Sequence, residues 1–397
     1  MTSLADELNR RFAGWREQNL FRELRRVDSA QGAHLTIGGK SFLNFSSNDY
    51  LGLANHPALK AAAVGAVEKF GAGAGASRLI CGSLAPFHEL EETLAAFKPT
   101  EAALTFPTGY AAALGTITAL LGKDDIIIID KLVHACVVDA AKLSGAKLRV
   151  FAHNDLADLE DKLKWATSTA RHSSLVTRHI LIVTESIFSM DGDAAPLREI
   201  VALKEKYGAW LMVDEAHATG LIGENGRGLA DALGVSGQIE IQMGTLGKAL
   251  GASGGYIAGS RALIDYLVNR ARSFIFSTAP VPAAAAAATA GIKLVQSAEG
   301  EALRLQLQHR IAEFKSEIGK RKTEIPCAIV PLILGDEAKA IAAAAKLRQQ
   351  NIFVPAIRYP TVARGAARLR ITLTAAHTAA DVSTLAHALE PIVNRKS

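Results

Sequence analysis

The stretch Trp210-Leu211-Met212-Val213-Asp214-Glu215-Ala216-His217 puts four apolar residues directly before two carboxylates and, two positions later, an imidazole. A run this short and apolar reads as a strand buried on both faces, as in a parallel sheet. Two earlier runs share the pattern: Ile126 to Ile129 ends at Asp130, and Ile180-Leu181-Ile182-Val183-Thr184 precedes Glu185. From roughly residue 56 to 290 such runs alternate with longer segments of helical period, which predicts an α/β domain with a mostly parallel sheet and crossover helices. The polar residues then fall at the carboxyl ends of the strands, the edge where open α/β sheets bind ligands. Residues 1–55 read as an amphipathic N-terminal arm, 56–290 as the large domain and 291–397 as a smaller α+β C-terminal domain. The chain shows no internal repeat.

Composition excludes several function classes. Over 397 residues, 49% are apolar and 21% charged, so the chain should fold throughout. The net charge is +5, with 44 basic residues interspersed among 39 acidic ones, so no stripe calls for nucleic acid. Even the basic run Arg22 to Arg26 is interrupted by Glu23. Cys81, Cys136 and Cys327 are odd in number and far apart, which suits a reduced cytoplasmic compartment better than disulfides or zinc. Asp6, Glu7, Glu17 and Glu23 argue against a secretory or transit segment. Ala283 to Ala288 lies in an apolar stretch that Lys293 ends too soon for a membrane span, so it reads as a buried helix.

The chemistry is carried by Asp214 together with Thr245-Leu246-Gly247-Lys248 further along the chain. A carboxylate at a strand end can keep a pyridine nitrogen protonated, which lets the ring accept electrons from a carbanion. A partly desolvated lysine crowded by a cationic ring has its neutral, nucleophilic form favoured and can join an aldehyde as a Schiff base. Pyridoxal 5′-phosphate (PLP) combines that ring and that aldehyde. Taken singly, an Asp after a strand is often a helix cap and a Gly-Lys pair a surface turn. Here Gly251, Gly254 and Gly255 follow Lys248 and a strand resumes at Tyr256 to Ala258, so the lysine sits in a tight loop that something approaches closely.

Thr108-Gly109-Tyr110-Ala111 reads as the start of a helix running to about Leu121, with threonine as N-cap and amides on which a phosphate could rest. Thr245 could add a hydroxyl to that phosphate, and no Walker loop occurs anywhere. His134, just past the Ile126 to Asp130 strand, could stack on a pyridine face or be a structural histidine; His217 could reach a phenolic oxygen if the chain turns after Asp214. His88 lies in His-Glu-Leu-Glu-Glu without the second histidine a zinc helix needs, so no metal is expected.

These segments make the chain resemble the α-oxoamine synthases, PLP enzymes of fold type I, the aspartate-aminotransferase-like fold. The resemblance also rests on Asn44-Phe45-Ser46-Ser47-Asn48-Asp49-Tyr50-Leu51-Gly52-Leu53, on Gly71 through Gly82 with Ser77-Arg78, and on Glu185-Ser186-Ile187-Phe188-Ser189-Met190-Asp191-Gly192-Asp193. It implies that Lys248 is the Schiff-base lysine and α-proton base, Asp214 the partner of the pyridine nitrogen and His134 the stacked residue. His217 and Ser189 would face the phenolic oxygen, and Gly109, Tyr110 and Thr245 the phosphate or ring. Ser277 and Thr278 would be lent by a neighbouring subunit, which implies a homodimer. Arg22, Asn48, Arg358 and Thr361 match substrate-facing positions.

Ala356-Ile357-Arg358-Tyr359-Pro360-Thr361-Val362 and Ala367-Arg368-Leu369-Arg370-Ile371-Thr372-Leu373-Thr374-Ala375-Ala376-His377-Thr378 are similar to the biotin-pathway branch of the family. That branch implies L-alanine and pimeloyl-CoA or pimeloyl-acyl-carrier protein as substrates. Tyr359 and Ala363 stand where the family segment usually has proline. The alternatives at this stage are a family member joining glycine to acetyl-CoA or serine to a long acyl-CoA, and a PLP protein without acyl transfer.

Overall fold

A computed structural model describes residues 2–171, 179–319, 325 and 327–393. The chain divides into two compact units, Leu53–Ser189 with Asp193–Arg304, and Met1–Gly52 with Met190–Gly192 and Leu305–Ser397.

The first unit is built on seven strands: β1 (Ala102–Phe106), β2 (Ile126–Asp130), β3 (Lys147–Phe151), β4 (Ile180–Glu185), β5 (Trp210–Asp214), β6 (Ile241–Thr245) and β7 (Gly255–Gly259). Their spatial order is β1-β7-β6-β5-β4-β2-β3. The strands β6-β5-β4-β2-β3 run parallel, whereas β7 is antiparallel to both of its neighbours. All three runs that the sequence marks as strands therefore form the middle of the sheet. Successive side chains point to opposite faces, and Ile126, Ile127, Ile128 and Ile129 are all buried, so both faces are covered. On one face, Ile127, Ile129, Leu181 and Val183 share a core with Ile117 of helix α1 (Gly109–Leu120) and Val137 of helix α2 (Ala135–Ser144). The Ala-rich stretch is a helix, Pro282–Val295, that buries Ala285, Ala288 and Ile292.

Because β6 and β7 are antiparallel neighbours, the segment between them is a hairpin loop rather than a crossover, and Lys248 sits on it. Gly251 in that loop has φ +67°, and an added Cβ would lie 2.6 Å from the Leu53 Cβ, so both its backbone conformation and its contacts demand glycine.

The second unit holds two three-stranded sheets. One pairs His34–Ile37 and Lys40–Asn44 with Ile352–Phe353; the other pairs Ile329–Gly335 and Ala356–Ile357 with the central Ala367–Thr372. The central strand carries two buried cations. Arg368 Nη1 donates to Asp191 Oδ1 at 2.7 Å and to the Met190 carbonyl at 3.1 Å, which ties the short segment 190–192 into this unit. Among the described residues, no helix is long and apolar enough to cross a membrane.

Candidate active site

Strand ends and helix starts converge on one cavity of about 170 Å³ in the first unit, lined by Gly109, Tyr110, His134, Cys136, Glu185, Ser189, Asp214, His217, Thr245 and Lys248 among others. Asp214 and Glu185 are the last residues of β5 and β4 and are register partners across the parallel ladder. Two carboxyls therefore lie side by side at the sheet's carboxyl edge.

Asp214 is 6% exposed, and its Oδ1 accepts the Ala216 N–H at 2.9 Å. Burial raises its pKa above the usual carboxylate range, against the Lys248 charge and the Ala216 bond, which lower it. A cationic ligand at this carboxylate would relieve that cost. The turn after β5 brings His217 back toward the lysine loop, and Lys248 Nζ lies 2.8 Å from His217 Nε2. His134 is the N-cap residue of α2; its Nδ1 accepts the Cys136 N–H at 3.3 Å, which puts the ring proton on Nε2. Burial holds the His134 pKa down despite the opposing Asp214 charge, so the ring is neutral at pH 7.

The remaining wall is the start of α1. Thr108 caps it by accepting the Ala111 N–H at 3.0 Å. This leaves the Gly109 and Tyr110 amides, the positive end of the helix dipole, at the cavity. Space there is tight: a Cβ on Gly109 would come within 3.0 Å of Thr245 Cγ2, and one on Gly255 within 2.5 Å of the Gly109 Cα. Tyr110 is further fixed by its hydroxyl, which donates to Asp139 Oδ2 at 2.6 Å.

These groups fit PLP. An amine for its aldehyde, a carboxylate for its pyridine nitrogen, a neutral imidazole for its ring face, and helix-start amides with a hydroxyl for its phosphate all belong to one cradle. The match to the family model named aminotransferase class I and II spans residues 40–389. The chain belongs to the class I and II aminotransferases, in their α-oxoamine synthase branch. Within it, the chain is 48% identical over 379 residues to the 8-amino-7-oxononanoate synthase of Geotalea daltonii, covering 94% of this chain and 95% of that one. It is 46% identical to the enzyme of the same name from Geobacter sulfurreducens, over 98% of this chain and 97% of that one. Among solved structures it is similar to serine palmitoyltransferase from S. paucimobilis with a bound PLP–myriocin aldimine, at a TM-score of 0.89 and 30% identity over 99% of both chains. This α-oxoamine synthase therefore has the PLP fold type I architecture that its sequence implied.

Of the positions singled out from sequence, Lys248, Asp214, His134, His217, Gly109, Tyr110, Ser189 and Thr245 all line the cavity. Ser277 and Thr278 are not among its lining residues; Thr278 is exposed and forms an isolated bridge with Ser77. The four substrate-facing positions belong to the other unit. There Arg22 Nη2 donates to Thr361 Oγ1 at 3.1 Å, while Arg358 donates to the Phe21 carbonyl at 3.3 Å and to the Asn19 carbonyl. Asn48 Oδ1 accepts from Arg370 Nη1 at 3.1 Å. Sequence reasoning singled out neither Arg370 nor Glu185 by role. The signal for Glu185 was present, since it follows an apolar strand just as Asp214 does.

Proposed function

We propose that this α-oxoamine synthase catalyses the decarboxylative condensation of L-alanine with a pimeloyl thioester to 8-amino-7-oxononanoate, the biotin-pathway reaction, with PLP as its cofactor. The observation that carries the reading is the pairing of Lys248 Nζ with His217 Nε2 at 2.8 Å in the same buried cavity as Asp214. The substrate assignment is supported by the near-full-length relatives of that name. When bound, PLP supplies an aldehyde for an amine and a ring that withdraws electrons from the α-carbon of an attached amino acid.

The protein's residues do the rest. Lys248 Nζ would hold the aldehyde and, as a free amine, would take the α-proton of alanine; His217 Nε2, within hydrogen-bond reach, orients that amine. Asp214 keeps a proton on the pyridine nitrogen, a charge-assisted bond that burial strengthens. Neutral His134 covers the ring without adding a charge that would compete with the pyridinium. Ser189 and His217 serve the phenolic oxygen, and the α1 amides with Thr245 hold the phosphate. We assign Arg22, Asn48, Arg358 and Thr361 to substrate recognition, CoA or acyl-carrier protein as the thioester's carrier, and a homodimer in the cytoplasm as the working form. Three free thiols suit a reduced compartment.

The test is product identification. Alanine, glycine and serine are each paired with pimeloyl, acetyl and palmitoyl thioesters, and the product is weighed. Alanine with pimeloyl thioester should release thiol and CO₂ in equal amounts and give the amino-ketone. Preference for glycine with acetyl-CoA, or serine with palmitoyl-CoA, would overturn the substrate assignment while leaving the cofactor chemistry in place.

A further inference from the structure

Glu215 stands among the residues of the site without joining them. Asp214, Ala216 and His217 line the cavity, whereas Glu215 does not and is fully buried. Its backbone nevertheless sets the path of that wall. The Glu215 N–H donates to the Met243 carbonyl of β6 at 2.8 Å, and its own carbonyl accepts the Ala218 and Thr219 N–H groups at 2.9 and 2.8 Å. The turn that brings His217 back to Lys248 is therefore closed on Glu215.

The side chain is held as fully as the backbone. Glu215 Oε1 accepts the Ala230 N–H at 2.9 Å, and Oε2 accepts from Lys98 Nζ. Lys98 is 2% exposed, is the C-cap of the helix Ala85–Phe97, and also donates to the Arg227 carbonyl. One amine thus joins the end of that helix, the segment 227–230 and the residue after β5. Gly228 makes room for the pair: its φ is +127°, and a Cβ there would lie 2.4 Å from Glu215 Oε2. A buried ion pair gives little net stability over apolar residues of the same volume, but its hydrogen bonds have fixed directions. Those directions converge on the residue that links Asp214 to the turn.

We propose that Lys98 and Glu215 are positioning residues of this site: their buried ion pair sets the orientation of the turn after β5, and through it the placement of His217 against the Lys248 amine. Neither lines the cavity, so both act through His217 and Asp214. Displacing a catalytic group by about 1 Å from a distance can cost roughly 100-fold in rate, so the pair should show itself in kcat. This inference rests on reading the cavity as the PLP site.

Two variants of the PLP-loaded protein test it. Lys98→Met strands a buried carboxylate and should lower stability in urea. It should also lower kcat roughly 10- to 100-fold while KM for alanine stays within about threefold. The apparent pKa of the bound cofactor's visible absorbance band should move by about half a unit to one unit, the size of a lost neutral hydrogen bond at Lys248. Adding Glu215→Gln to Lys98→Met removes the stranded charge and keeps an acceptor for the Ala230 N–H. The double variant should regain stability but neither kcat nor the wild-type band pKa. Recovery of both in step with stability, or wild-type values of both in either variant, would make the pair merely structural and overturn the proposal. Should Lys98→Met not fold, the double variant decides alone. The band titration needs no acyl donor, so a substrate preference that overturns the assignment above still leaves this inference decided by the band.

Discussion

Lys248 and Asp214 act at the scale of single residues, and substitution separates their roles from their structural cost. Borohydride reduction of the loaded protein followed by peptide mapping should place the reduced cofactor on Lys248, and label on another lysine would refute the anchoring role. Lys248→Ala should lose α-proton exchange from alanine while still taking up PLP through its ring and phosphate contacts. Asp214 gives a sharper test because its contributions to stability and to chemistry have opposite signs. Its folded pKa is raised above the unfolded value. The stability it contributes is therefore fully present only below the unfolded carboxylate pKa and declines as pH rises through the folded value. Above the folded value the ionised carboxylate is a burden on the cofactor-free protein, so the advantage of wild type over Asp214→Asn in urea denaturation should shrink or reverse as pH is raised. The same variant should lose roughly 3–5 kcal/mol of transition-state stabilisation in kcat/KM, since it leaves a pyridinium without its anion. A variant that is destabilised yet fully active would show Asp214 to be a structural cap.

At the scale of elements, the cradle depends on how closely α1 meets β7 and on what ties the loops at the strand ends. Gly255→Ala would drive a Cβ into the Gly109 backbone, with no flexible side chain to give way. It should cost about 1–3 kcal/mol in denaturant unfolding and weaken PLP binding by a further factor that inorganic phosphate cannot restore. The end of β2 is tied to the segment after β4 through His153, whose Nδ1 lies 3.0 Å from Asp130 Oδ1 and whose Nε2 lies 2.7 Å from Asp193 Oδ2. Burial alone would lower its pKa, but the two carboxylates outweigh it and raise it to about 10. A raised histidine contributes stability that is complete below its unfolded pKa of about 6.5 and is lost as pH climbs through the folded value. Wild type should therefore exceed His153→Gln in melting temperature at pH 6 and converge on it by about pH 10. A constant gap across that range would mean that the ring acts by packing on Phe188, 4.4 Å away, rather than by charge.

At the scale of the whole molecule, the sheet and most of its site were legible in the sequence because strand-end chemistry is local. An apolar run buried on both faces names the strand, and the next polar residue falls at the sheet's carboxyl edge, as Asp130, Glu185 and Asp214 all do; of these, Glu185 and Asp214 line the cavity. The close packing of Gly109 on Gly255 was hidden because it joins residues far apart in sequence, and Arg370 was hidden because a buried arginine within a strand reads as an exposed alternate position. Ser277 and Thr278 are a different case: they carry the family pattern, yet they are absent from the lining of the cavity formed by their own chain. A neighbouring copy lending them to its partner's phosphate would explain the pattern, and such a loan implies a two-fold arrangement in which each chain gives what it receives. Mixed dimers test this. A Lys248→Ala subunit has no anchoring amine but an intact Thr278, whereas a Thr278→Trp subunit keeps Lys248 but blocks the partner's site. Each homodimer should be inactive. In a hybrid, the site built on the Thr278→Trp chain's own Lys248 receives a normal Thr278 from the other subunit and is whole, so tagged hybrids should recover about half of wild-type activity per dimer, one working site of two. Hybrids isolated by double affinity capture that stay inactive would refute the shared site, and wild-type protein that sediments as an active monomer would refute the dimer itself.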